Sequence, residues 1–264
     1  MEEREPIIEV RDLVATYGDR VVLDGVSLDI YPGETMVILG RSGCGKSTFL
    51  RHMIGLYKPA GGEILIKGRD IGKVEGDDKI ELLKKIGMLF QSAALFNSMT
   101  VGENVSLPIR EHTDLEESII QIMMKMKLES VGLSGFEDFR PSQLSGGMQK
   151  RAGLARAIAI DPDILFCDEP SAGLDPVVAA GIDNLVIRLK KAFNMTTVIV
   201  THELASVFLI ADRIAMMHEG KVLAVGTPDE LRNSGNPIIT QFFDRVPDPE
   251  EIDKDAYLKT IFGE

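Results

Sequence analysis

Gly40-Arg41-Ser42-Gly43-Cys44-Gly45-Lys46-Ser47-Thr48 satisfies the pattern G-x-x-x-x-G-K-[ST] and follows directly on the apolar run Thr35-Met36-Val37-Ile38-Leu39. Glycines in such a loop let successive backbone N–H groups converge on phosphate oxygens, while Lys46 adds a point charge and the Ser47 hydroxyl can ligate Mg2+. Thr48-Phe49-Leu50-Arg51-His52-Met53 reads as a helix whose positive end faces the anion. A strand before the loop and a helix after it supply the context the chemistry needs. Gly40, Arg41, Ser42, Gly43, Cys44, Gly45, Lys46, Ser47 and Thr48 are therefore nucleotide-binding candidates.

Upstream, Ile7-Ile8-Glu9-Val10, Val22-Leu23 and Val26-Ser27-Leu28-Asp29-Ile30 read as short strands. Downstream, Glu63-Ile64-Leu65-Ile66-Lys67 and Ile86-Gly87-Met88-Leu89-Phe90 are predicted strands, the latter ending at Gln91. From about Ser92 to Ala159 the apolar spacing becomes helical, and Ile119, Ile120, Met123, Met124 and Met126 are expected to face a core. Ile164-Leu165-Phe166-Cys167 and Thr197-Val198-Ile199-Val200 then return as apolar strands separated by helical sequence. That alternation predicts a parallel α/β core.

With 44% hydrophobic and 27% charged residues over 264 positions, the composition is that of a globular chain able to bury a large core. No stretch approaches the ~18 consecutive apolar residues of a membrane span, and Met1-Glu2-Glu3-Arg4-Glu5 lacks the layout of a signal peptide. A soluble cytoplasmic chain is expected. The net charge of −12 argues against a nucleic-acid face and against direct adhesion to anionic lipid. Any membrane association is expected to run through a protein partner. Two cysteines, Cys44 and Cys167, suit a reducing compartment and read as small buried hydrophobes.

Asp168-Glu169 closes an apolar strand, which sets two carboxylates at the sheet edge where nucleotide sites form. Asp168 is suited to hold Mg2+ and Glu169 to act as general base on an attacking water. Between loop and carboxylates stands Leu144-Ser145-Gly146-Gly147-Met148, where Ser145, Gly146 and Gly147 offer a hydroxyl and two N–H groups at a helix start.

These three stretches in this order resemble the nucleotide-binding subunit of an ABC transporter, from Ile7 to about Phe243. The resemblance implies a P-loop ATPase fold with a RecA-like core, an antiparallel β subdomain and a helical subdomain at about 92–160. It makes 1–243 the nucleotide-binding domain and 244–264 an acidic C-terminal extension. Leu144 to Met148 matches the family signature with Met148 in place of Gln, Gln91 the Q-loop, Ser171-Ala172-Gly173-Leu174-Asp175 the D-loop, and His202 the switch histidine. The implied catalytic residues are Glu169, His202 and Gln91, with Ser47, Gln91 and Asp168 on Mg2+. ATP is the implied cofactor, held also by Tyr17 stacked on adenine, by Asp175 of the D-loop, and by Ser145, Gly146 and Gly147 reaching the site of a second copy.

Phe90 to Phe96 and Met99 to Val105, with a signature ending in Met148, resemble the ATPases of Mla/Mce-type phospholipid transporters. This implies a homodimer of ATPase subunits on an integral membrane permease, at the cytoplasmic face of the inner membrane, with an Mce-domain substrate-binding protein as a further component and no nucleic acid. An importer ATPase for another substrate, or a regulatory ATPase acting on a cell-wall or division partner, is the alternative. Tyr257, Leu258, Ile261 and Phe262 follow an acidic Pro-rich linker at helical spacing, and the tail is expected to reach a second subunit.

Overall fold

The structure is a computed structural model, which describes residues 5–247. Strands β1 (Ile8–Tyr17) and β2 (Arg20–Ile30) pair antiparallel and lead to β3 (Thr35–Gly40), the phosphate loop and helix α1 (Lys46–Met53). Next come β4 (Gly61–Ile66), β5 (Arg69–Asp70), α2 (Gly76–Leu83) and β6 (Ile86–Leu89). Helices α3 (Val101–His112), α4 (Glu117–Ser130) and α5 (Gly146–Ala157) form the helical part, α5 after a 3-10 turn at Pro141–Gln143. The chain then alternates through β7 (Ile164–Asp168), α6 (Pro176–Phe193), β8 (Thr196–Thr201), α7 (Leu204–Ile210) and β9 (Arg213–His218). It closes with β10 (Lys221–Gly226), α8 (Pro228–Arg232) and α9 (Pro237–Phe243).

Two sheets result: an antiparallel one ordered β2-β1-β4-β5 and a larger one ordered β10-β9-β3-β8-β7-β6. In the larger sheet every pairing but β10 on β9 is parallel. Its central strands are buried on both faces, so they read as continuous apolar runs. Met36 and Ile38 of β3 join Phe166, Val198 and Val200 under the antiparallel sheet, whereas Val37 and Leu39 join Leu165, Cys167 and Ile199 against the helices. Each large side chain so buried contributes roughly 1.5–3 kcal/mol.

Several expectations need adjusting. The short N-terminal strands are parts of two long ones, because the pairing of β1 with β2 shifts register between Val10 and Leu13 and again near Ala15. Asp12 sits there at φ 47 and its N–H donates to Ser27 Oγ at 2.9 Å. A bulge of this kind breaks the period of two by which a strand is recognised. Helix α1 begins at Lys46, ahead of Thr48. On α4, Ile120 and Met124 are buried as expected, but Ile119 and Met126 are exposed, since only one face of that helix meets α3 and α5. The helices themselves lie within the expected segment. Residues 248–264, and with them the expected docking of the tail, fall outside the described residues.

Candidate active site

Parallel register builds the site. Leu39 lies opposite Thr201, Asp168 opposite Val200, and Leu89 opposite Cys167, so β3, β8, β7 and β6 end together. The residues that follow them, from Gly40 to Lys46, Glu169, His202 and Gln91, therefore emerge at one carboxyl edge, the place where open α/β sheets bind ligands.

In the phosphate loop Gly45 has φ 106, and a Cβ there would stand 2.8 Å from Leu23 Cδ2 and 3.2 Å from the Val22 carbonyl oxygen. No other residue type fits between β2 and the loop. Lys46 is buried, its Nζ donating to the carbonyls of Gly40 at 2.7 Å and Arg41 at 2.9 Å. These are bonds a phosphate can replace. Cys44 is buried beside it, and burial pushes its thiol pKa up; the Cys167 thiol is pushed up to about 12 for the same reason. Both act as small hydrophobes, as expected.

Asp168 is buried, and its Oδ1 has no hydrogen-bond partner among the described residues. Burial first, then the neighbouring Glu169, raises the pKa of its carboxyl. An orphaned buried carboxylate oxygen fits a cation that the chain does not itself supply. Among the described residues no group of three His, Cys, Asp or Glu side chains could hold a metal alone. Mg2+ does not require one, since it keeps waters and takes phosphate oxygens beside one or two protein groups.

Glu169 stands at φ 48, and its N–H donates to Val200 O at 2.8 Å. Its Oε1 accepts from His202 Nδ1 at 2.7 Å and its Oε2 from Thr201 Oγ1 at 3.2 Å. A non-glycine residue held in this region of backbone space marks a site whose surroundings over-determine it. Gln91 is exposed at the junction with the helical part. Tyr17, half exposed at 48%, makes an edge contact with Tyr57 at 6.3 Å between ring centroids. Its hairpin continues into the segment that covers Gly45.

Ser145 caps α5, its Oγ accepting from Met148 N at 3.3 Å, and it is exposed together with Gly146. A Cβ on Gly146 or Gly147 would meet Leu174 or Val178, so this helix start borders the D-loop. Asp175 caps α6 by accepting from Val177 N and Val178 N, both at 3.1 Å. Met148 packs against the apolar core, which gives its thioether a place where a Gln would bury an amide.

Two further features had no signal in the sequence. Lys150, one turn into α5, donates to the carbonyls of Gln91 and Glu169. Asp183 on α6 is buried with Ser171 and Ser206, whose hydroxyls lie 3.3 Å apart, and its Oδ1 is unpartnered among the described residues.

A phosphate loop on a parallel sheet, with an acidic strand end and a histidine converging on the same edge, defines a P-loop nucleoside triphosphatase. The chain belongs to the ABC transporter family, whose model matches residues 23–172. It is 44% identical over 236 residues to the "Intermembrane phospholipid transport system ATP-binding protein MlaF" of Haemophilus influenzae, covering 89% of each chain. It is 42% identical to the "Probable ribonucleotide transport ATP-binding protein mkl" of Mycobacterium leprae, covering 89% of this chain and 68% of that one. Among solved structures, the ATP-binding cassette MJ0796, a dimer in a post-hydrolysis state bound to ADP and Pi, matches with a TM-score of 0.76 at 30% identity, covering 83% of this chain and 98% of that one.

Proposed function

We propose that this chain is the ATP-hydrolysing subunit of a phospholipid transporter, working as a pair of copies on a membrane permease. The observation that carries the reading is the exposed start of α5. Ser145 and Gly146 are exposed beside the D-loop, with Gly147 buried behind them, and a second copy's nucleotide can complete the site there. Val177, 81% exposed beside them, is an apolar surface suited to that contact.

In the proposed cycle ATP lies on the loop from Gly40 to Thr48, Lys46 exchanges the Gly40 and Arg41 carbonyls for β- and γ-phosphate oxygens, and Tyr17 stacks on adenine. Ser47 and Asp168 would hold Mg2+, with Gln91 alongside; there the ion neutralises charge on the phosphate oxygens. Glu169 takes a proton from the attacking water as it bonds to the γ-phosphorus. The bond from that phosphorus to the β–γ bridging oxygen breaks, leaving ADP and phosphate. His202, whose imidazole already orients Glu169, donates to the γ-phosphate as charge develops. Asp175 and Ser145 of each copy serve the nucleotide held by the other.

The permease is proposed to dock in a groove of about 560 Å3 lined by Leu83, Phe90, Phe96, Leu107, Pro108 and Ile160. This groove adjoins the loop after Gln91, so occupancy of the nucleotide site can be felt there. Among the described residues no helix is long and apolar enough to cross a membrane, and attachment to the cytoplasmic face is proposed to be through the permease. An Mce-domain lipid-binding protein is the proposed further component. The name of the Haemophilus relative supports phospholipid as cargo, and that of the Mycobacterium relative keeps ribonucleotide as the second substrate class. Reconstitution with the co-purified permease tests the choice: ATP-dependent movement of labelled phospholipid between vesicles is expected, and ATP turnover stimulated by a ribonucleotide without lipid movement would overturn it.

A further inference from the structure

Lys150 is 5% exposed and makes no ion pair among the described residues. Its Nζ instead donates to two backbone carbonyls, that of Gln91 at 2.6 Å and that of Glu169 at 3.0 Å. Burial lowers the pKa of this ammonium, and the Asp168 and Glu169 carboxylates oppose that. A buried cation is costly unless its donors are engaged, so its presence here calls for a role. Glu169 is held on both sides as a result: its N–H by Val200 and its carbonyl by Lys150, at a φ of 48 that the backbone does not favour.

Six residues further along the same helix, Arg156 repeats the device. Its guanidinium donates to Ala93 O at 2.9 Å and Ala94 O at 2.8 Å, and those alanines stand at φ 60 and φ 49. Arg156 also lies over the Phe96 ring at 5.9 Å and lines the groove between the core and the helical part. One rigid helix therefore carries the signature at its start, a grip on Gln91 and Glu169 in its middle, and a grip on the following loop at its end.

We propose that Lys150 is a positioning residue for hydrolysis, tying the backbone placement of Glu169 and Gln91 to the position of the signature helix. Rotation of α5 when Ser145 to Gly147 engage a second copy's phosphate is then transmitted to this copy's own Glu169, and through Arg156 to the groove. The two nucleotide sites of a pair become coupled through two side chains of one helix, the buried Lys150 and the half-buried Arg156. The inference rests on the reading that the signature serves a second copy.

Lys150→Met removes the donors while keeping chain length. In the full-length protein with Mg-ATP, kcat is expected to fall by at least about tenfold, as misplacement of a catalytic group by an ångström would cause. ATP affinity, measured on dilute protein below its pairing concentration, is expected to move less than about twofold, and the Hill coefficient for ATP to fall toward about one as coupling is lost. A kcat within about twofold of the parent, or a lower kcat that tracks lost folded protein with an unchanged Hill coefficient, overturns the proposal. If Lys150→Met does not fold, Lys150→Gln, whose amide has two N–H donors but no charge and a shorter reach, is judged by the same readouts. Failure of the pairing reading is seen separately: a Glu169→Gln chain that stays monomeric in ATP removes that reading, whereas a normal pair with parent-like kinetics in the Lys150 variant removes only the role of Lys150.

Discussion

His202 Nδ1 and Glu169 Oε1 stand 2.7 Å apart, the imidazole closing over a carboxylate whose other oxygen is held by Thr201 Oγ1. The strand β8 ends at Thr201, so the two residues that orient Glu169 are consecutive in sequence while Glu169 comes from the neighbouring strand's end. On the proposed reading Glu169 is the base, and this contact makes His202 the group that orients it. Glu169→Gln is expected to retain ATP binding and lose turnover, and His202→Ala to lower kcat by about 10^2- to 10^3-fold. Phosphate release in steady state measures both. Parent-like turnover in the Glu169 variant would remove it as base.

The Lys46 ammonium satisfies the Gly40 and Arg41 carbonyls and, on the proposed reading, exchanges them for phosphate. Charge-assisted hydrogen bonds are each worth about 1.5–3 kcal/mol, which sets the scale of what Lys46→Ala removes. ATP affinity is expected to weaken by about 10- to 100-fold. Calorimetric titration with ATP decides it, and an unaltered affinity would move the phosphate site elsewhere.

A Cβ on Gly147 would sit 2.6 Å from Val178 Cγ1. Gly147→Ala therefore pushes the start of α5 away from α6, at a cost of about 1–3 kcal/mol for overpacking. Turnover is expected to fall while ATP binding by the isolated copy is retained, because on the proposed reading the start of α5 serves the nucleotide of the second copy. Equal loss of binding and turnover would contradict a signature that acts across the pair.

Asp183 supplies a pH dependence of known sign. Burial raises the pKa of its carboxyl above the ordinary 3.8, while hydrogen bonds from Ser206 and Ser171 lower it and Glu203 raises it. Between the ordinary and the raised value the folded chain binds more protons than the unfolded chain, so stability contributed by this group falls as pH rises through that window. Asp183→Asn removes the slope. Its stability relative to the parent is expected to increase as pH rises above the ordinary carboxyl value and to level off once the carboxyl is ionised in the folded state too, as read by urea denaturation at several pH values. A difference independent of pH would mean that the carboxyl titrates normally.

What could be read from sequence was local. The loop from Gly40 to Thr48 and the acidic strand end at Asp168-Glu169 are contiguous stretches whose residue types suit a phosphate and an ion, and the stretch from Leu144 to Met148 was marked by its resemblance to the family signature. Their order marked the family, and the double-faced burial of β3, β7 and β8 was visible as unbroken apolar runs. Strand lengths were less legible, because the bulge at Asp12 reverses the alternation on which a strand is recognised. The methionines of α4 misled for a related reason: apolar spacing shows which residues could share a face, but the neighbours decide whether that face is covered.

The tertiary structure alone decided which residues meet. Parallel register, set by packing on both sheet faces, brought Gly40, Glu169 and His202 to one edge from three strands far apart in the chain. It also placed the Lys150 ammonium between the carbonyls of Gln91 and Glu169, and Asp183 beside Ser171 and Ser206. Contacts over such separations depend on the register and burial of whole elements, and no local pattern of residues encodes them.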